Sequence, residues 1–312
     1  GQMDIRCETG SVYFQVEEYK RPKFEVNFEL VKGSYKLEKP VTVTGKAMAY
    51  AGSSVSGGKV KYRVSREIHF PYFWNVGRYM SRQTNMELTN GETETAADGS
   101  FQITFDAIPD NSFDKKNQPV FSYAVKAEVT DINGETHEAE TTVSVGYQSL
   151  LIATNLPEEI NLDKGFQFSL ATTNLNGEKE KATGTIKITK LQSPSLVLYA
   201  RKWNRPDRFT MTRSEFEKIF PNEVYGNETD GASWSKSDVV FSKEFNTVTD
   251  SLIVAPKVTE TGKYLVEIKS RDLFGTEVSY ERYVNTFVPK DEKSKATFPA
   301  RFRLLTPSVQ PG

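Results

Sequence analysis

The chain has 312 residues, a length typical of about two domains. Its 40 lysine and arginine residues nearly balance its 41 aspartate and glutamate residues, so no charge excess would attract nucleic acid or an acidic membrane surface. Cys7 is the only cysteine, which excludes an internal disulfide and a cysteine metal cage.

The first 18 residues are expected to end a domain that precedes the main part of the chain. Residues 9–19, TGSVYFQVEEY, have a turn glycine, an alternating strand pattern and a tyrosine. Residues 133–147, NGETHEAETTVSVGY, repeat this order further along the chain. We therefore expect residues 1–18 to hold the last hairpin strand of a truncated domain, and the chain to be a piece of a longer protein.

Residues 19–147 are predicted to form a β-sandwich. Alternation of apolar and polar residues predicts strands near residues 24–30, 40–49, 59–66, 83–93, 100–105, 121–130 and 136–145. The pairs Asp98-Gly99 and Asn133-Gly134 are typical of type I′ hairpin turns, in which both central residues have positive φ. Short strands with turns at this spacing favour a sandwich.

Residues 148–289 are predicted to form a second domain of the same type. Strands are expected near residues 150–155, 166–173, 183–192, 239–246, 251–254, 262–271 and 277–288, with a turn at Asn176-Gly177. Residues 123–145 align with residues 264–286 without a gap, and each is a hairpin around an Asp-x-x-Gly turn. A repeated hairpin indicates two copies of one domain. Residues 290–312 are expected to be a linker into a following domain.

The second domain departs from an all-β pattern in an insert at about residues 193–238. Thr212 and Glu215 form a capping box, the signature of a helix start. Phe216, Ile219 and Phe220 then share one helical face, which we expect to pack on the sandwich. The fold class is therefore all-β, with tandem seven-stranded antiparallel β-sandwiches of the immunoglobulin or fibronectin type and a short helical insert in the second.

Several stretches together resemble the bacterial alpha-2-macroglobulin family. They are VEEYKRPKFEV (residues 16–26), VTVTGKAMAYAGSSVSGGKVKYRVSRE (41–67), ADGSFQITFDAIPD (97–110) and RKWNRPDRFTMTRSEFEKIFPNEVYGNE (201–228). The resemblance covers about residues 10–288. It implies macroglobulin-type β-sandwich domains in an envelope protein that traps or inhibits proteases.

The reactive chemistry of that family has no counterpart in this piece. The family's thioester lies in a Cys-x-Glu-Gln motif, whereas Cys7 is followed by Glu8-Thr9-Gly10. The segment that proteases cleave lies later in family members. The resemblance therefore implies an architecture and carries over no functional residue; no catalytic, metal or cofactor-binding residue is assigned.

Two acidic stretches have a simpler explanation than chemistry. Glu17 and Glu18 are adjacent on an extended chain, so their side chains point to opposite sides and cannot flank one bond. Pro22 stiffens this joint between domains. Asp131-Ile132-Asn133-Gly134-Glu135 looks like part of a calcium loop, but a strand resumes at once and the repeat has Phe274 in place of the asparagine. A hairpin turn is the better interpretation.

Two aromatic or basic groups are candidate interaction surfaces. One is the loop that contains Tyr72, Phe73 and Trp74, whose rings either bind a ligand or cover an open end of the sandwich. The other comprises Arg201, Trp203, Arg205 and Arg208, where a cation–π contact around Trp203 is plausible and anchoring of the insert is the structural alternative.

These observations predict a structural scaffold and not an enzyme. By resemblance, its partners would be neighbouring domains of the same chain and, for the full-length protein, target proteases. The expected location is the periplasm or cell envelope, with a lipid anchor of the full-length protein left open. The alternative is an adhesive or carbohydrate-binding module that uses the aromatics at residues 69–74. No apolar run approaches the roughly 20 residues that cross a bilayer.

Overall fold

The computed structural model describes residues 2–7, 10–15, 23–69, 86–194, 197–199, 201–202, 204 and 206–289. The chain divides into two compact units, Gly1–Tyr147 and Gln148–Gly312. At the N-terminus, β1 (Gln2–Cys7) pairs with β2 (Gly10–Gln15) as an antiparallel hairpin. The joint at residues 16–22 and the tail at residues 290–312 lie outside the described residues.

After the β1–β2 hairpin, the described residues of the first unit form a sandwich of two antiparallel sheets. Its strands are β3 (Phe24–Phe28), β4 (Pro40–Ala49), β5 (Lys59–His69), β6 (Met86–Glu94), β7 (Ser100–Asp106), β8 (Val120–Thr130) and β9 (Thr136–Gly146). One sheet has the order β3-β4-β7 and the other β6-β5-β8-β9. Alternate residues of β4, β7 and β8 are buried, so each sheet turns one apolar face inward.

The core of the first unit lies between these two sheets. Val43 and Phe105 of the first sheet and Val64, Tyr123 and Val125 of the second belong to one buried apolar cluster. The rings of Phe105 and Tyr123 meet across the core with their centroids 5.5 Å apart. Side chains from two facing sheets that share one core define a β-sandwich.

The second unit repeats this arrangement. Its elements are β10 (Leu150–Thr154), β11 (Glu159–Asn161), β12 (Gln167–Asn174), β13 (Thr183–Leu191), α1 (Arg213–Ile219), β14 (Lys236–Asn246), β15 (Leu252–Val254), β16 (Gly262–Arg271) and β17 (Glu277–Phe287). The sheets have the orders β10-β12-β15 and β11-β17-β16-β13-β14. Without β11, strand order and direction match those of the first unit. The predicted class of tandem antiparallel β-sandwiches is confirmed.

The short strand β11 was not predicted. It pairs in parallel with the end of β17, and in the first unit Lys36 makes a single parallel bridge with Gly146 at the end of β9. Both units therefore pair the segment after their first strand with the end of their last strand. Three residues are too few for a periodic pattern to be recognised.

A buried tyrosine marks the same place in both units. Tyr123 and Tyr264 lie at matching positions of the sequence repeat, near the starts of β8 and β16. The Tyr123 hydroxyl donates to the Ile108 carbonyl at 3.0 Å, and the Tyr264 hydroxyl donates to the Glu260 carbonyl at 2.9 Å. A tyrosine that ties this strand to the preceding corner is a feature of immunoglobulin-like sandwiches.

The hairpin turns lie where they were predicted, but their predicted type is wrong. Among the described residues, Glu38 and Gln118 are the non-glycine residues with positive φ, so Asn133 and Asn176 do not adopt the type I′ geometry. In the first turn, the Gly134 amide donates to the Asp131 carbonyl, and the Asp131 amide donates to the Glu135 carbonyl. This is a three-residue loop in which only the glycine needs the left-handed conformation.

The same turn recurs at residues 96–100, 174–178 and 272–276. At residue 131 the aspartate side chain accepts hydrogen bonds from the amides of Asn133 and Glu135, at 2.9 and 2.8 Å. Both amides donate to Asp131 Oδ1, and Asn133 Nδ2 donates to Oδ2 at 3.0 Å. Because both carboxylate oxygens are bound within the turn, the structure supports a hairpin turn in place of a calcium loop at Asp131.

In both units a carboxylate in the last hairpin turn binds the start of the domain. The Lys23 amide donates to Glu135 Oε1 at 2.8 Å, one residue before β3. The Ser149 amide donates to Asp272 Oδ2 at 3.0 Å, one residue before β10. Glu135 also contacts His137 Nε2 at 2.8 Å, and this bond together with the Lys23 amide holds the pKa of the Glu135 carboxyl below its usual value. Each sandwich thus closes its own beginning against its own end.

Candidate interaction surface

The two candidate surfaces lie in equivalent connections, one in each sandwich. The loop with Tyr72, Phe73 and Trp74 joins β5 to β6, and the insert joins β13 to β14. These strands are topological equivalents, because β5 and β13 pair with β8 and β16 on one side and with the edge strands β6 and β14 on the other. Residues 70–85 lie outside the described residues, so the proposed role of the three aromatics stays a prediction.

Arg201 holds the insert together. Its Nη2 donates to the carbonyls of Val224 and Tyr225, each at 2.8 Å, and to that of Gly226 at 3.3 Å. A guanidinium that binds successive carbonyls fixes the backbone that follows the helix. Trp203 and Arg205 lie outside the described residues, and Arg208 is exposed.

The helix α1 begins and ends as predicted. Thr212 is its N-cap: the Glu215 amide donates to Thr212 Oγ1, and the Thr212 amide donates to Glu215 Oε2 at 2.9 Å. The Thr212 hydroxyl also donates to Glu215 Oε2 at 2.7 Å, and the hydrogen bonds from the Thr212 amide and hydroxyl lower the pKa of the Glu215 carboxyl. Phe220 is the C-cap, and Pro221 follows. Local sequence therefore specifies this helix.

The predicted packing of α1 on the sandwich is wrong. Ile219 is 59% exposed and Phe220 is 42% exposed, and the buried core of the second unit includes neither of them nor Phe216. Phe216 instead packs against Tyr225 of the insert, with 5.3 Å between ring centroids. The helix has an apolar face, but its neighbour is the insert itself.

Tyr225 is the centre of an aromatic cluster within the insert. Its ring stacks on Phe209 at 4.3 Å, and its hydroxyl donates to the Met211 carbonyl at 2.9 Å. The Arg213 guanidinium lies 5.8 Å from the same ring, and it also pairs with Glu217 and Glu228. Sequence analysis missed this cluster, since residues 209 and 225 lie on either side of the helix and no periodic pattern links them.

A cavity of about 450 Å³ opens beside this cluster; we call it the insert cavity. Its apolar lining, among the described residues, comprises Pro206, Phe209, Met211, Phe216, Phe220, Val224 and Tyr225. Its charged lining comprises Arg201, Lys202, Arg208 and Glu223. The cavity therefore combines an aromatic wall with more positive than negative charge.

A second concavity of about 540 Å³ shares Phe209 and Tyr225 with the insert cavity. It is lined by Arg213, Glu228 and Trp234 among others. Trp234 Nε1 donates to the Glu228 carbonyl at 2.6 Å, and Lys263 Nζ lies 5.5 Å from the Trp234 ring. Among the described residues of the insert, the cation–π contacts involve Arg213 and Lys263, which sequence analysis did not select; the contact predicted around Trp203 stays a prediction. Because Arg213 and Glu228 neutralise each other, this concavity has little free charge.

Of the ion pairs between described residues of the first unit, Arg66–Asp110 is the most buried, and its contacts are structural. Arg66 Nη2 lies 3.1 Å from Asp110 Oδ2, and Arg66 Nη1 donates to the Ile108 carbonyl at 2.9 Å. Hydrogen bonds from Ser112, assisted by the Arg66 charge, hold the pKa of Asp110 below its usual value. Arg66 and Tyr123 bind the same carbonyl, so this group fixes the segment after β7.

Within the described residues, no group of three or more histidine, cysteine, aspartate or glutamate side chains is arranged to hold a metal ion. Glu17 and Glu18 lie outside those residues. The described part of the chain also contains no helix with the length and apolar character of a membrane span.

The fold defines the class of the protein, a tandem immunoglobulin-like β-sandwich with a short helix in an insert of the second sandwich. No family model matches the sequence. No curated protein matches it either.

Solved structures with some similarity include bacterial macroglobulins. Salmonella alpha-2-macroglobulin reacted with methylamine is 11% identical, with a TM-score of 0.36 over 88% of this chain and 17% of the other. The native E. coli alpha-2-macroglobulin is 8% identical, with a TM-score of 0.37 over 94% of this chain and 18% of the other. A tetra-tandem repeat from the extending region of a large adhesion protein is 12% identical, with a TM-score of 0.23 over 91% of this chain and 55% of the other.

The chain thus spans less than a fifth of the length of the two macroglobulins. TM-scores of this size are too low to support an argument about function.

Proposed function

We propose that this chain is a scaffold portion of an alpha-2-macroglobulin-like endopeptidase inhibitor that traps proteases at the bacterial cell envelope. The observation that carries the proposal is the repetition of one sandwich, with the same strand order and the same long connection, in a single chain. The sequence resemblance supports it, because the Glu-Tyr-Lys-Arg-Pro joint at residues 18–22 and the insert at residues 201–228 occur together.

The internal construction of each unit suits a scaffold. The core is continuous between two sheets, and a carboxylate ties the first strand to the last hairpin through Lys23 in one unit and Ser149 in the other. Such domains resist local opening, because the segments that fray first are held by hydrogen bonds. On this proposal the domains hold reactive segments of the parent protein in position and carry out no reaction themselves.

Partners and location follow from the same proposal. The chain would contact neighbouring domains of its parent, and the parent would engage proteases in the periplasm or at the cell envelope. Chemistry such as a thioester would reside in another part of the parent, because Cys7 lacks the Cys-x-Glu-Gln context.

The test requires the full-length parent protein. We expect a broad-specificity protease to cleave it in a segment outside residues 1–312, and we expect the cleaved protein to become more compact in small-angle scattering. The 312-residue chain alone is the control, which should neither change dimensions nor inhibit the protease. If the parent shows neither cleavage in such a segment nor compaction, the proposal is wrong.

A further inference from the structure

The insert cavity exposes apolar groups that are usually covered. Phe209 is 40% exposed, Met211 39% and Phe220 42%, and all three line the same concavity. Large apolar side chains gathered around a cavity indicate a place where a partner is bound. Methionine adds adaptability, since its flexible side chain adjusts to ligands of different shape.

The charge at the cavity favours an anionic partner. Among the described residues that line the cavity, three are cations, Arg201, Lys202 and Arg208, and one is a carboxylate, Glu223. Arg201 is occupied by the carbonyls of residues 224–226. Lys202 and Arg208 are exposed, and neither forms an ion pair with a carboxylate in the described part of the chain. These two cations can therefore meet carboxylates of a ligand without breaking an existing pair.

The size of the cavity limits what can occupy it. Pockets for compact ligands measure roughly 300–1,000 Å³, and this one measures about 450 Å³. It can take one large side chain with its flanking backbone, and it is too small for a packed helix or a folded domain. Its rings surround a concavity, whereas insertion into a membrane needs apolar groups that project outward.

We propose that the insert cavity binds a short acidic protein segment. One large apolar side chain of that segment lies among Phe209, Phe216 and Phe220. Carboxylates next to it contact Lys202 and Arg208. This site goes beyond the scaffold function, because it requires neither a protease nor any other part of a parent protein.

A labelled peptide tests the proposal with the complete 312-residue chain. The probe is a fluorescein-labelled hexapeptide with one tryptophan between glutamates, and binding is followed by fluorescence anisotropy at low salt. We expect saturable binding in the micromolar range that weakens as salt is added. A peptide with alanine in place of tryptophan, and one with lysines in place of the glutamates, should each bind at least about tenfold more weakly.

Matched variants locate the site. Lys202→Glu combined with Arg208→Glu should weaken binding by at least about tenfold, and Phe220→Ser should do the same. Lys218→Glu and Ile219→Ser are the controls, since both residues are exposed on α1 and neither lines the cavity. Circular dichroism monitors folding. If Phe220→Ser disturbs the fold of the insert, the Lys202→Glu and Arg208→Glu double variant still tests the proposal, because it changes no aromatic side chain.

Three results would overturn the proposal. The first is no binding of the acidic peptide at millimolar concentration. The second is equal binding of the lysine-containing peptide, or equal weakening by the control variants. The third is retention of the chain on phosphatidylglycerol vesicles without any peptide binding, which would assign the exposed apolar groups to a membrane surface.

Discussion

Gly99 and Gly134 adopt nearly the same backbone in very different surroundings. Their φ angles are 79° and 82°, and both close a three-residue loop. A Cβ at Gly134 would have no heavy atom within 4 Å, whereas a Cβ at Gly99 would lie 2.4 Å from the Ala47 carbonyl oxygen. The two positions therefore separate the cost of backbone conformation from the cost of a steric clash.

We expect Gly134→Ala to lower the free energy of unfolding by about 1 kcal/mol, the cost of a left-handed residue with a side chain. Gly99→Ala should cost a further 1 to 3 kcal/mol or so, because a strand carbonyl must move. Urea denaturation of both variants measures the difference. Equal effects would show that the first unit absorbs the clash.

Tyr264 makes stability depend on alkaline pH. Burial raises the pKa of its hydroxyl from 10.0 to about 12, with a smaller contribution from Glu260. The folded protein therefore holds this proton more tightly than the unfolded chain. The resulting stabilisation is fully present below pH 10 and is lost as the pH rises towards 12.

We expect Tyr264→Phe to destabilise the protein by about 1 kcal/mol at neutral pH, through loss of the hydrogen bond to the Glu260 carbonyl. The difference in free energy of unfolding between the variant and the wild type should narrow between pH 10 and 12, because only the wild type loses stability as its tyrosine ionises. Urea denaturation across this range measures the gap. Tyr50→Phe, at a 62% exposed position, is the control and should show no such trend. A gap that stays constant with pH contradicts the prediction.

At the scale of elements, the last hairpin of each unit also fixes the first strand. Asp272 is buried and accepts hydrogen bonds from the amides of Ser149, Phe274 and Thr276. Asp131 occupies the matching turn of the first unit, but there the link to the first strand comes from Glu135. In the second unit Asp272 both stabilises the turn and binds the first strand. In the first unit these two roles are divided between Asp131 and Glu135.

We expect Asp272→Ala to cost about 2 to 3 kcal/mol, because it leaves the buried Ser149 amide without its acceptor. Asp131→Ala should cost only about 1 kcal/mol, the loss of hydrogen bonds within an accessible turn. Thermal denaturation and hydrogen exchange at the start of β10 measure these effects. Faster exchange there in Asp272→Ala, but not in Asp131→Ala, is the expected pattern. Unchanged exchange at β10 would refute this role of Asp272.

The elements also show what can be read from the sequence. The Thr212–Glu215 capping box and Pro221 specify the bounds of α1 locally, so the helix was predictable. The packing of α1 was not predictable, because an apolar helix face does not show which residues it will contact. In this structure Phe216 of that face packs against Tyr225 of the same insert. Turn positions followed from glycine pairs, but turn type depended on which backbone groups close the loop, residues 131 and 135 in the first unit, and a glycine pair alone does not reveal this.

At the scale of the molecule, each unit has its own buried core and its own buried tyrosine hydrogen-bonded to a backbone carbonyl. Each unit also has its own carboxylate that binds the start of its first strand. These properties were encoded twice, and the aligned hairpins at residues 123–145 and 264–286 made the repetition visible in the sequence. The insert cavity could not be predicted, because its lining residues come from both sides of α1 and their spacing along the sequence has no period.

We expect residues 19–147 and residues 148–289 to fold when they are expressed separately. Each should unfold in one cooperative transition, because each closes its first strand against its own last hairpin. Differential scanning calorimetry of the two fragments is the measurement. A fragment that is soluble but lacks a cooperative transition would show that the proposed boundaries are wrong.

The position of the long connection has a consequence for engineering. In the second unit, β13 pairs with β14 although residues 192–235 separate the two strands in sequence. In the first unit, the equivalent strands β5 and β6 are joined by residues 70–85. Closing a loop roughly three times longer costs only about 1 kcal/mol more in chain entropy. We therefore expect this connection to accept an inserted binding loop or reporter peptide in either sandwich without a change in strand register.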